Sequence, residues 1–276
     1  MPVFPFKDDI PTPGFPAMTV ALIVVNVLVF GWQLLQPSDT ASTPQLAREG
    51  VSERDQFALE YGAIPYRITH PGSDCGVALE GATQEVICDG APASEAFPER
   101  PGNLDMAPWW LTLITSMFMA TGFLQLAANM LVLWLFGRNI EDSIGRWRFV
   151  AFYLLAGVIA AYGQALLDID STLPIIGASG AIAGVLGAYA LLHPRAKVLT
   201  MIFLVFFFTF VEIPALAIIA IWFGLQFLPA FGQPVSLDLV DTGGIAYFAH
   251  VAGFAFGLAA IHLFARRDGR GADVEG

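Results

Sequence analysis

Six apolar blocks run along the chain between polar, charged or proline-rich stretches: about Phe15 to Leu35, Gly122 to Gly137, Phe149 to Leu167, Ile175 to Leu192, Ile213 to Phe231 and Ile245 to Phe264. A helix that crosses a bilayer needs about 20 apolar residues, so each block reads as a transmembrane helix. The second is extended upstream by the apolar Trp109 to Thr121, which reads as a separate interfacial or re-entrant piece. Val198 to Phe210 flows into the fifth block with only Glu212 and Pro214 interrupting, and reads as the run-in to that helix, with a seventh membrane element as the alternative. Residues Met1 to Pro16 are proline-rich and are expected to be disordered or to lie at the interface. Gln36 to Pro108 is a polar insert with twelve acidic residues and repeated Pro, Gly and Ser. The expected organisation is a tail over 1–16, a first helix over 17–36, the acidic insert over 37–108, a core of five further helices over 109–265 and a second tail over 266–276.

Composition agrees with this pattern, since 56% of the 276 residues are hydrophobic and only 13% are charged. Disorder is excluded and an ordinary soluble domain is disfavoured. The formal charge of −11 argues against a nucleic-acid partner, because phosphate binding requires concentrated Lys and Arg. An N-terminus in the cytoplasm places eight of the thirteen basic residues (Arg138, Arg146, Arg148, Arg195, Lys197, Arg266, Arg267 and Arg270) on the inner side. The positive-inside rule therefore favours cytoplasmic termini and an extracytoplasmic insert. The outer connections around Asp168 and Asp170, and around Asp238 and Asp241, carry no Lys or Arg. A cleaved signal peptide is disfavoured: the leader sets only Lys7 against Asp8 and Asp9, and its apolar run exceeds the usual 7 to 15 residues, by the ordinary rule of thumb of about that length. With no transit peptide or eukaryotic sorting tail in view, a prokaryotic plasma membrane is the expected location. The two cysteines, Cys75 and Cys88, both fall in the insert. Facing an oxidising compartment they could form a disulfide, with two unpaired thiols as the alternative. His70 is the only imidazole nearby, so no metal site is expected there, and nothing in the sequence calls for a cofactor.

The candidate chemistry centres on Ile176 to Gly184, where one hydroxyl, Ser179, sits among very small residues. Glycine weakens a helix by about 1 kcal/mol relative to alanine, so Gly177, Gly180, Gly184 and Gly187 make sense where another backbone must come close. Gly180, Gly184 and Ala188 form one small-residue stripe and Ala249, Gly253 and Gly257 form another, a pattern that also serves simple packing. Each stripe carries one polar residue near its outer end, Ser179 on the fourth block and His250 on the sixth, at matching depth. His193 and His262 lie about 20 Å further along the same helices at 1.5 Å per residue, so only His250 can meet the serine. A hydroxyl becomes a useful nucleophile when a base takes its proton, and histidine is the usual base near neutral pH. Neither block holds an acidic residue, so a triad is not supported and packing must orient the imidazole. Gln125 and Asn129 share a helical face and, with the Ser179 backbone N–H, are candidate oxyanion donors; holding helices together is the alternative role for both amides. Hydrolysis needs water, which an outward-open cavity and a hinge at Gly243-Gly244 would admit.

The GASG run at Gly177 to Gly180, the AHVAGFAFG run at Ala249 to Gly257, the Asn129-Met130 pair and the GRNIEDSIGRWRF loop resemble the rhomboid family of intramembrane serine proteases over about Trp109 to Phe264. The resemblance implies an all-α polytopic membrane protein, a six-transmembrane-helix rhomboid-like bundle, here with a long extracytoplasmic first loop. It implies a serine endopeptidase whose Ser179/His250 dyad cleaves transmembrane protein substrates near their outer membrane boundary. Asn129 would be an oxyanion donor, Gly177 would let the backbone close on the site, and Glu141 would be structural. The chain departs from the family pattern at Gln125, where a histidine is common, and at Ala120, which replaces another. Trp110 is followed by Leu111 and Thr112 rather than by the arginine some members carry. A slow or inactive pseudoprotease that binds membrane proteins is thus the alternative. A transporter is disfavoured, because ionisable residues are nearly absent from the blocks.

Overall fold

The structure, a computed structural model, describes residues 3–12, 14–48, 50–80, 83–91, 102–204, 207–227 and 247–265. In chain order its elements are β1 (Val3–Asp8), α1 (Ala17–Leu35), α2 (Pro44–Arg48), α3 (Glu53–Tyr61), α4 (Pro65–Thr69), β2 (Cys75–Glu80), β3 (Thr83–Cys88), β4 (Gly102–Asn103), α5 (Trp109–Thr115), α6 (Phe123–Val132), α7 (Arg138–Ile144), α8 (Arg146–Leu167), α9 (Ser179–Leu192), β5 (Lys197–Leu204), β6 (Phe207–Pro214), α10 (Ala215–Phe227) and α11 (Tyr247–Phe264). A π-helical turn, Leu133–Gly137, fuses α6 to α7. Among the described residues four helices are long and apolar enough to cross a membrane: α1, the fused Phe123–Ile144, α8 and α11. The helices α9 and α10 are apolar but shorter. Outward faces carry exposed Leu28, Leu35, Leu124, Leu166 and Leu263, a surface suited to lipid rather than water. The end of the fifth sequence block, the connection with Asp238 and Asp241, the Gly243-Gly244 pair, the first two residues of the sixth block and the tail with Arg266, Arg267 and Arg270 lie outside the described residues.

The main core is built where α8, α9 and α11 meet the α6–α7 rod, around Leu133, Phe136, Phe149, Phe152, Tyr153, Ile182 and Tyr189. The mostly helical character is as expected, with two three-stranded sheets added among the described residues. One corrects the reading of Val198 to Phe210: this stretch is not the start of a helix but most of the hairpin β5–β6, and α10 begins only after Pro214. Its aromatic and β-branched residues favour strands, yet a continuous apolar run has no period that distinguishes strand from helix. The second correction is at the N-terminus, where β1 pairs antiparallel with β5, which overturns the disordered alternative of the two expected there. That pairing delivers Asp8 into the core beside Arg138 and Asn139, where it also accepts a hydrogen bond from Tyr189 Oη at 2.9 Å. Removing one partner of a buried ion pair strands the other charge, at a cost of about 3–5 kcal/mol. Asp8→Ala should therefore lower stability by about that amount, visible as a large fall in the thermal midpoint of the detergent-solubilised protein. Glu141, with Arg146 Nε 3.9 Å from its Oε1, accepts hydrogen bonds from Met18 N (3.0 Å), Thr19 N (2.7 Å) and Thr19 Oγ1 (2.8 Å), capping the first turn of α1.

The acidic insert has a core of its own, formed by Leu46, Val51, Leu59, Ile64, Tyr66, Val77 and Val86. Its second sheet, in the order β3–β2–β4, is closed by a disulfide between Cys75 and Cys88. Joining cysteines 13 positions apart limits the unfolded chain, an effect worth about 3 kcal/mol. Replacing both cysteines with serine should therefore speed proteolysis within residues 36–108 while the fragment carrying α8, α9 and α11 persists on gels. The insert docks on the helices through Ala63 and Ile68 against Leu113, Ala161 and Ala165.

Candidate active site

The loop before α9 is held at three places. Ala63 and Ile175 exchange two backbone hydrogen bonds (3.2 and 2.8 Å), Tyr66 N donates to Ser171 O (2.9 Å), and Gly177 N donates to Ser116 O (2.9 Å). Gly177 then turns the chain with φ +133°, a conformation that L side chains rarely adopt. The sequence block reaches back to Ile175, but the helix itself starts at Ser179, because this turn precedes it. Ala178 at the cap supplies no side-chain acceptor, so the first-turn N–H groups of α9 stay uncapped around Ser179. Such an end carries partial positive charge and favours negative charge beside it.

From α6, the Gln125 side chain reaches the same place. The position a Cβ would take on Gly177 lies 3.3 Å from Gln125 Nε2 and 3.6 Å from Ser179 Oγ, so the amide and the hydroxyl face one small volume that glycine leaves open. Asn129, one turn further along α6, is buried and makes no side-chain hydrogen bond among the described residues.

The opposite wall is α11, which lies against α9 at backbone distance. A Cβ on Gly253 would sit 2.2 Å from Gly180 O, one on Gly257 2.0 Å from Gly184 O, and one on Gly187 2.2 Å from Phe254 O. Ala249, beside His250, faces Gly180, beside Ser179: a Cβ on Gly180 would meet the Ala249 Cβ at 3.9 Å. His250 is 5% exposed, and its ring meets Trp222 of α10 edge-on with centroids 5.4 Å apart. Its Nδ1 is buried without a hydrogen-bond partner, and no hydrogen bond joins the ring to Ser179 Oγ. His193 and His262 fall at the far ends of α9 and α11. The structure thus gathers Gln125, Gly177 and Ser179 at one point and sets His250 on the adjoining turn of the neighbouring helix. Among the described residues no three His, Cys, Asp or Glu side chains come together as a metal site would require.

The sequence profile of the Rhomboid domain matches residues 107–267, more than half of the chain, with Gln125, Asn129, Gly177, Ser179, Trp222 and His250 all inside the match. The chain belongs to the rhomboid family. Rhomboid protein 1, mitochondrial, of Saccharomyces cerevisiae is 30% identical over 152 residues, covering 54% of this chain and 40% of that protein. The rhomboid protease GluP of Bacillus subtilis is 38% identical over 93 residues, 34% of this chain and 18% of the relative. Rhomboid-type serine protease 2 of Emericella nidulans is 24% identical over 275 residues, 88% of this chain and 48% of the relative. The chain thus spans less than half the length of each of these three relatives. Like the family, this rhomboid is an integral membrane protein with apolar helices fit for a bilayer.

Sequence reasoning passed over three residues that shape this rhomboid's site. Thr121 donates to Gln125 Oε1 through both its N (2.9 Å) and its Oγ1 (3.1 Å). Gln33 on α1, 4% exposed, grips Ala120 by donating to its O (3.3 Å) and accepting from its N (3.0 Å). Trp222 packs on the imidazole. Gln33 gave the same signal that singles out Gln125, an amide inside an apolar span.

Proposed function

We propose that the chain is an intramembrane serine endopeptidase that cuts transmembrane protein substrates near the outer membrane boundary. The observation that carries this reading is the placing of Ser179 at an uncapped helix start beside the Gln125 amide, on the turn where α9 touches the His250 turn of α11. Ser179 Oγ attacks the scissile carbonyl carbon while His250 takes its proton. The oxygen that becomes negative is met by the Ser179 backbone N–H, the Gln125 NH2 and the Asn129 amide. His250 then gives the proton to the leaving amine, and water releases the acyl group from Ser179 by the reverse proton path. Packing on Trp222 orients the ring in place of a carboxylate. The printed names of the Bacillus and Emericella relatives, a protease and a serine protease, support the same chemistry.

The reading places six spans in the bilayer, with α9 and α10 as the two short ones and residues 109–265 as the catalytic core. Both termini lie on the side holding Arg138, Arg146, Arg148, Arg195 and Lys197, and the 37–108 insert lies on the other. The prokaryotic plasma membrane is the proposed location, on the sequence grounds alone, and membrane fractionation of the source cell tests it against the mitochondrial location in the printed names of the yeast relative and of the presenilin-associated rhomboid-like relative of Rattus norvegicus.

A second reading, a rhomboid that binds membrane proteins without cutting them, is favoured by Gln125 standing where the family commonly has histidine and by the missing Ser179–His250 hydrogen bond. Side chains of a serine–histidine pair often close only around substrate, which leaves proteolysis the stronger reading. The deciding experiment reconstitutes the full chain in liposomes with a single-span substrate protein and maps the products by mass spectrometry. Proteolysis predicts one cut close to the outer boundary; retention of intact substrate on the wild-type chain would establish the binding-only reading.

A further inference from the structure

We propose that Thr121 is a positioning residue that fixes which end of the Gln125 amide faces Ser179. The proposal rests on the proteolytic reading above and deepens it. A primary amide has two ends of nearly equal size and opposite polarity. If its oxygen faced the nucleophile, a lone pair would oppose the negative charge that develops on the substrate; if its NH2 does, two donors are on offer. The side chain alone has no means of choosing.

Thr121 makes the choice. Its backbone N–H at 2.9 Å and its hydroxyl at 3.1 Å both donate to Gln125 Oε1. Only the oxygen end can accept both, since the NH2 end would set donor against donor at that place. With Oε1 held, Nε2 is the atom left pointing at Gly177, where it lies 3.3 Å from the Cβ position that Ser179 Oγ approaches to 3.6 Å.

Thr121 is itself held from outside the site. Gln33, buried on α1, pairs with both polar groups of the Ala120 backbone, and Ser116 O ties the preceding turn to Met119 N and to Gly177 N. The orientation of one amide therefore traces back through Ala120 to the first helix. The histidine that is common in the family at the Gln125 position has no oxygen end to exclude, so the device belongs with the glutamine.

The test uses the full chain in liposomes with a single-span transmembrane substrate, reading kcat, KM and the thermal midpoint for Thr121→Val, Thr121→Ser, Gln125→Leu, Gln125→Glu and the double variant Thr121→Val/Gln125→Leu. Thr121→Val deletes the hydroxyl donor and leaves the backbone one. It should lower kcat by about fivefold to tenfold with KM and thermal midpoint unchanged, and Thr121→Ser should restore kcat. The double variant should be no slower than Gln125→Leu alone, because Thr121 acts only through Gln125. Gln125→Glu should be slower than Gln125→Leu, since the carboxylate keeps one oxygen on Thr121 and turns the other toward Ser179. Wild-type kcat in Thr121→Val, a further fall in the double variant, or wild-type kcat in Gln125→Glu would each overturn the proposal while leaving an active wild type a protease. A wild type that cuts nothing in the same assay overturns the proteolytic reading and this proposal with it.

Discussion

Replacing Ser179 with alanine is expected to abolish cleavage of a transmembrane substrate, a loss of at least about a thousandfold, without unfolding the protein. Its Oγ makes no hydrogen bond among the described residues, and alanine suits the first turn of a helix, so little stability depends on the hydroxyl. His250→Ala should fall to the same floor. The ring does more for the structure than the serine does, because it packs on Trp222, and some loss of thermal stability should accompany that variant. Groups that act as one unit are not additive, so the double variant should cut no more slowly than either single one. Product bands from liposome reactions, with thermal midpoints of each variant, check all three statements. Cleavage by Ser179→Ala at a substantial fraction of the wild-type rate would remove the serine from the mechanism.

The second large effect is expected at Gly257, far from the reacting atoms. A Cβ there would lie 2.0 Å from Gly184 O and 3.0 Å from Ala188 N, both backbone atoms of α9 that cannot rotate away. Gly257→Val should force α11 off α9 and cost about 3 kcal/mol or more. Activity should vanish with it, since the same helix pair sets His250 beside Ser179. Gly31 on α1 is the control, because nothing lies within 4 Å of the Cβ it would gain. Gly31→Ala should leave the thermal midpoint unchanged or raise it, by up to about 1 kcal/mol in helix propensity. Equal midpoints for Gly257→Val and wild type would mean that the two helices are not in backbone contact.

That contact was legible in the chain before any coordinates. Two stripes of small residues at four-residue spacing, each with one polar side chain near the same end, are enough to pair helices in a bilayer, where close backbone approach replaces the hydrophobic effect as the driving force. Apolar length identified α1, α8 and α11 for an equally simple reason. The hairpin β5–β6 escaped because its sequence is a nearly continuous apolar run, and alternation is what announces a strand. The strand β1 escaped because its partner lies nearly two hundred positions away, as in Val3 against Ile202, and no local pattern reports a pairing so distant.

The site divides in the same way. Ser179 and His250 stand out because few polar groups share their surroundings, and Gln125 with Asn129 because two amides share one helical face. Thr121 and Gln33 act through hydrogen bonds between segments that only the fold brings together, Gln33 with Ala120 across 87 positions. Turn residues such as Thr121 are common in any chain, and their role is visible only once the partner's atoms are placed.

The most direct measurement is to find where a fluorophosphonate lands. The purified wild-type chain, labelled in detergent and digested, is predicted to carry one phosphonyl group, on Ser179, and His250→Ala is predicted to lose it. An adduct on any other residue, or cleavage of substrate that continues unchanged after Ser179 is fully modified, would contradict a mechanism built on that hydroxyl.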